Sequence, residues 1–115
     1  MRFALGTAQF GMTYGIANTS GQVTQEKAHE ILRFCKTIGI DVLDTAISYG
    51  DSEECLGNFG VNNFNLITKL PLIPESTKDI DNWIRSEIKA SISRLKIETI
   101  YGLMLHRPEQ LLNNQ

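Results

Sequence analysis

The chain has 115 residues, 42% of them hydrophobic and 21% charged, with a formal net charge of −2. Those figures suit a single domain over residues 1–115 with an ordinary apolar core. They exclude a nucleic-acid footprint, because the basic residues are scattered along the chain instead of clustered on one face.

Met1-Arg2 runs directly into a short strand-like stretch, Phe3–Thr7, with no apolar h-region of a secretory signal after it. No apolar run anywhere approaches the ~20 residues of a membrane span. The chain therefore reads as cytoplasmic, without a membrane or nucleic-acid partner. A glycine-punctuated loop through Gly11, Gly15 and Gly21 follows. From Thr24 to Ile38, apolar residues recur at Ala28, Ile31, Leu32, Cys35 and Ile38, the stripe of an amphipathic helix. Thr24 is its expected N-cap, Glu26 favours the first turn, and Gly39 is the expected stop.

Asp41–Ala46 reads as the second strand. A short loop leads to a helix over Ser52–Asn58, capped by Asp51 or Ser52, with Glu53 and Glu54 as helix-start charges at the positive end of the dipole. Phe64–Leu70 is the third strand. Ile80, Trp83, Ile84, Ile88, Ile92 and Leu95 form the apolar stripe of a third long helix, with Arg85, Lys89 and Arg94 largely turned away from it. Thr99–Leu105 is the fourth strand. Cys35 and Cys55 have no metal-ligand spacing and read as small buried hydrophobes. His29, beside the stripe of its helix, reads as solvent-facing.

The order βαβαβαβ predicts an α/β fold with a parallel sheet and right-handed crossovers. A nucleotide-binding doubly wound sheet fails on spacing. Gly6, Gly11 and Gly15 do not form G-x-G-x-x-G, and no helix pattern opens until Thr24. In a (β/α)₈ barrel, polar residues at the C-terminal strand ends carry chemistry. Asp44, Lys69 and His106 stand at such ends, and Tyr49 follows Asp44 in the next turn. Four strands are half of that barrel.

These residues resemble the aldo-keto reductase family. Leu5-Gly6-Thr7-Ala8-Gln9-Phe10-Gly11 is similar to its opening strand and glycine turn. Gly39-Ile40-Asp41-Val42-Leu43-Asp44-Thr45-Ala46, with Tyr49-Gly50-Asp51-Ser52-Glu53, resembles its most specific signature. Leu66-Ile67-Thr68-Lys69 and Met104-Leu105-His106 are similar to the strands carrying its lysine and histidine. Tyr14-Gly15-Ile16-Ala17-Asn18 looks most like a bacterial subgroup. The similarity runs over essentially the whole chain but reaches only the first half of a family barrel.

The resemblance implies NADPH, or NADH, as cofactor and a small-molecule aldehyde or ketone as substrate. It implies Asp44, Tyr49, Lys69 and His106 as catalytic residues, and Gly6, Thr7 and Asp44 near the cofactor. The residue types agree with that chemistry. A tyrosine phenol gives up its proton reluctantly near neutrality. An ammonium about 4 Å away favours the phenolate by on the order of 4 kcal/mol at an effective dielectric near 20. A carboxylate beside that ammonium keeps it charged, and a neutral imidazole can orient the carbonyl. Taken singly, each has an ordinary structural reading. Asp44 can cap a loop, Tyr49 can pack, Lys69 can be solvated and His106 can end a strand. A strand-end turn explains Gly6 and Thr7 nearly as well as a cofactor does.

Pro108-Glu109-Gln110-Leu111-Leu112 opens like a fourth helix and is expected to stop at Asn113-Asn114-Gln115. The chain is thus expected to be a truncated half-barrel, inactive by itself. The competing expectation is a non-catalytic barrel fragment whose open sheet edges bind a partner or a second copy.

Overall fold

A computed structural model describes residues 2–112. Strands β1 (Ala4–Gly6), β2 (Val42–Asp44), β3 (Asn65–Leu70) and β4 (Gly102–Leu105) form one sheet in the order β1-β2-β3-β4. Every neighbouring pair is parallel, with Gly6 opposite Asp44, Asp44 opposite Ile67 and Lys69 opposite Met104. The crossovers carry α2 (Gln25–Thr37), α3 (Ser52–Phe59) and α4 (Ile80–Leu95). This is the expected βαβαβαβ order. A one-turn helix, α1 (Ala8–Gly11), lies in the glycine-punctuated loop, where its single turn leaves no periodic signal. Pro108–Leu112 form a 3₁₀ helix. The expected stop at Asn113-Asn114-Gln115 lies outside the described residues.

The strands are shorter than their apolar runs, yet the ladder continues past their formal ends. Thr7 N–H donates to Asp44 O at 2.9 Å, Thr45 to Ile67 O at 2.8 Å, Tyr101 to Leu66 O at 2.9 Å and His106 to Leu70 O at 3.0 Å. The residues that continue the ladder include those next to the polar rim, which ties that rim to the sheet.

Strand alternation sorts the two faces. Leu43, Leu66, Thr68 and Leu70 turn towards the helices and are buried. With Phe10, Ala28, Leu32, Cys35, Leu56, Val61 and Leu95 they enclose the core between sheet and helices. The opposite face carries Gly6, Val42, Asp44, Ile67, Lys69, Gly102 and Met104, and Met104 is 51% exposed. That is the face a closed barrel turns inward.

Helix α2 is capped as expected, with Thr24 Oγ1 accepting from Lys27 N–H at 3.2 Å and Gly39 at φ +77°. Cys35 and Cys55 are buried free thiols. Burial pushes both thiols above the ordinary range.

Three expectations need correction. Of the α4 stripe only Leu95 is buried, with Ser91 beside it, while Trp83, Ile84, Ile88 and Ile92 are half-buried and Ile80 is exposed. Helix α3 has 8 residues against 16 in α4, about 12 Å against about 24 Å. It therefore covers only the C-terminal half of α4, where Gly57 lies against Arg94 O.

Glu53 stands in the first turn of α3 as expected, yet it is also enclosed by the neighbouring helix. It is 2% exposed, accepts from Ser91 Oγ, and pairs at 3.1 Å with Arg94 Nη2. Arg94 consequently reaches towards α3 instead of away. His29 is half-buried with its ring 5.1 Å from Phe59, and its Nε2 is buried without a partner among the described residues.

Candidate active site

The polar rim forms where β2, β3 and β4 end. Asp44 closes β2, Lys69 lies on β3 and His106 follows β4. Register places Lys69 two residues beyond Ile67, the partner of Asp44, a rise of about 6.6 Å. Its long side chain closes that gap. Lys69 Nζ donates to Asp44 Oδ1 at 2.7 Å and to Thr45 O at 2.9 Å, and lies 3.5 Å from Tyr49 OH. These three contacts match the three donors of an ammonium. The Tyr49 contact is long for a hydrogen bond and acts mainly through charge. Lys69 is 13% exposed and Asp44 35%, so solvent screens the pair only in part.

Tyr49 is held by a close approach of backbones. A Cβ on Gly11 would sit 1.8 Å from Tyr49 O, and one on Gly50, at φ +53°, would sit 2.3 Å from Gly11 O. The glycines let α1 press against the Tyr49–Asp51 turn. The Tyr49 ring meets His106 edge-on, with centroids 5.5 Å apart at 84°. The structure thus brings all four expected catalytic residues into one cluster.

Two members of the neighbourhood were not legible in residue spacing. Tyr14 lies 6.3 Å from the Tyr49 ring. Its carbonyl accepts from Gln9 Nε2 at 2.9 Å and Asn18 Nδ2 at 2.8 Å, which pins the loop over the site. Beneath the rim, Ser52 Oγ lies 3.0 Å from both Thr7 Oγ1 and Thr45 Oγ1 and donates to Thr7 O at 2.9 Å. Thr7 Oγ1 donates in turn to Asp44 O at 3.0 Å. Three hydroxyl protons serve these four contacts, so one proton is shared between two acceptors. This buried cluster joins the ends of β1 and β2 to the start of α3. The alternation of β2 was the available signal, since it turns Thr45 to the same face as Leu43.

The Thr7 hydroxyl, expected near the cofactor, is fully buried and turned into the fold. Gly6 differs. It is exposed, and a Cβ built there meets no atom within 4 Å. Asp44 borders the same open space across the β1–β2 register.

Comparison with known proteins agrees with this geometry. The profile of the Aldo/keto reductase family matches residues 2–113. The chain is 33% identical over 111 residues to Oxidoreductase sirO of Leptosphaeria maculans, covering 91% of this chain and 33% of that protein. Two solved structures assigned to an aldo-keto reductase of Pseudomonas aeruginosa superpose on 97% of the chain. One has TM-score 0.76 and 27% identity, the other 0.73 and 25%. The chain spans 46% and 44% of those structures and a third of the sirO protein. A match over nearly the whole sequence, together with the fold of solved members, places the chain in the aldo/keto reductase family.

Proposed function

We propose that this chain supplies the proton-donating half of an oxidoreductase site that reduces aldehydes or ketones with NADPH, or NADH, as hydride source. The observation that carries the reading is Lys69 Nζ, fixed by Asp44 and Thr45 and poised 3.5 Å from Tyr49 OH. Tyr49 donates its proton to the carbonyl oxygen. Lys69 stabilises the phenolate left behind through its positive charge at this separation. Asp44 holds the ammonium in place, accepting from it at 2.7 Å. His106, edge-on to Tyr49, orients the carbonyl by hydrogen bonding.

The nicotinamide dinucleotide, when bound, supplies the hydride. The open space at Gly6 and the partly exposed carboxylate of Asp44 fit a flat ring against this end of the sheet, and these two residues would hold it there.

The test is a chimera in which residues 2–112 replace the matched part of the Pseudomonas aeruginosa barrel. Reduction of aromatic aldehydes is followed by NADPH consumption. Tyr49→Phe is expected to lower kcat by about 10²–10⁴-fold while leaving cofactor affinity nearly intact. A loss smaller than about tenfold would falsify the assignment of Tyr49 as the acid.

A non-catalytic reading draws support from β4, whose flanking Tyr101 is 63% exposed and whose Leu103 and Met104 are 42% and 51% exposed. Such an edge suits a partner strand. On that reading the chimera consumes no NADPH.

A further inference from the structure

Past His106 the rim opens into a cleft of about 600 Å³ lined by Ser48, Pro71, Leu72, His106, Arg107 and Glu109. Three loops meet there: the turn before Tyr49, the segment after β3 and the segment after β4. Gln110 ties two of them together. Its Oε1 accepts from Ile73 N–H at 3.0 Å, and its Nε2 donates to Ile73 O at 2.7 Å. The walls are therefore fixed to each other by a two-point clasp.

Inside this cleft, Arg107 carries the fixed positive charge. Its guanidinium is 66% exposed and meets Glu109 Oε1 only at 3.5 Å, with Glu109 itself 58% exposed. A long, solvated pair of this kind contributes little and is readily exchanged. A guanidinium fork fits a carboxylate through two parallel hydrogen bonds. The exposed Leu72 supplies an apolar wall, and Ser48 is exposed beside Tyr49. His106 and Arg107 are consecutive, with Cα atoms about 3.8 Å apart. Both side chains line this one cleft, so a single small molecule with two polar ends can meet them together.

We propose that this cleft is a second substrate subsite, selecting aldehydes or ketones whose far end carries a carboxylate that Arg107 takes in exchange for Glu109. The inference rests on the carbonyl-reducing reading of Tyr49, Lys69 and His106, and names the class of substrate that site prefers.

Binding is tested on the barrel chimera by amide NMR, with alcohol products that do not condense with lysines. Titration with 4-(hydroxymethyl)benzoate should shift Ser48, Leu72 and Arg107. Both 4-methylbenzyl alcohol on the unsubstituted chimera and the carboxylate on an Arg107→Gln chimera should bind at least about tenfold more weakly. Equal shifts by the two probes, or shifts that survive Arg107→Gln, overturn the proposal.

Kinetics of the barrel chimera provide the second measurement. The ratio of kcat/KM for 4-carboxybenzaldehyde over 4-methylbenzaldehyde should exceed about ten, fall by about tenfold in Arg107→Gln and rise in Glu109→Gln. A folded chimera that reduces both aldehydes without preference overturns this subsite alone. One that reduces neither overturns the carbonyl-reducing reading first, and the subsite with it. Preference for 4-formylphenyl phosphate over the carboxylate overturns the assignment of a carboxylate.

Discussion

Lys69 commits its ammonium to Asp44, Thr45 and Tyr49, so one side chain couples two strand ends and a turn. Removing it costs both the charge beside the phenol and the partner of a half-buried carboxylate. The cysteines show the opposite condition, side chains sealed from chemistry. Cys35 is 3% exposed and Cys55 8%, and burial raises both thiols. Neither is expected to react with Ellman's reagent at about pH 8 in the folded chain, whereas both should react in strong denaturant. Fast native labelling of either would show the packing to be wrong. The sign of the linkage follows. A raised thiol contributes its stabilisation in full below the ordinary value of 9.0. That contribution is lost as pH climbs through the raised folded value, so urea midpoints should fall at the alkaline end.

At the scale of elements, the α3–α4 contact combines a steric fit with a buried charge. Gly57 admits the backbone of α4, since a Cβ there would lie 2.0 Å from Arg94 O. Glu53 then meets Ser91 and Arg94 across the contact. Glu53→Ala leaves Arg94 facing a lined void and is expected to destabilise by about 3 kcal/mol. Chemical denaturation of the chimera checks this, and a change below about 1 kcal/mol would show the network to be solvated instead. Here the sequence carries only part of the role of Glu53. A glutamate in the first helical turn is favourable in solvent by its proximity to the helix N-terminus alone. Only the neighbouring helix, 38 residues away at Ser91, turns it into a buried partner. His29 was misread, its burial coming from Phe59 on α3.

Over the whole molecule, the sheet's outer strands decide the behaviour. Strand β1 pairs only with β2 and β4 only with β3 among the described residues. Exposed Phe3, Tyr101, Leu103 and Met104 lie on or beside them. Open apolar edges without proline template pairing between chains. The 115-residue chain is expected to self-associate at micromolar concentration, with Leu103→Lys weakening the association. A monomer with cooperative thermal unfolding, seen by sedimentation velocity, would contradict this. The same chain is expected to bind NADPH more weakly than about 100 µM, because it spans under half of the solved relatives. Low-micromolar affinity by calorimetry, about −8 kcal/mol, would overturn that expectation.

The sequence by itself determined the order of the strands and of the three crossover helices, the cap at Thr24 and the four polar residues of the rim. Each of these is written in local signals: period, capping chemistry, and side-chain type at a strand end. Whether those four residues meet is not local. Lys69 reaches Asp44 and Tyr49 through the register of β2 against β3 and a turn held by Gly11 against Gly50. The buried Thr7–Thr45–Ser52 cluster and the Glu53–Arg94 pair likewise depend on packing between elements far apart in the chain. Burial was the quantity the sequence could not supply. It is a property of what covers a residue, and only the tertiary structure brings that cover into place.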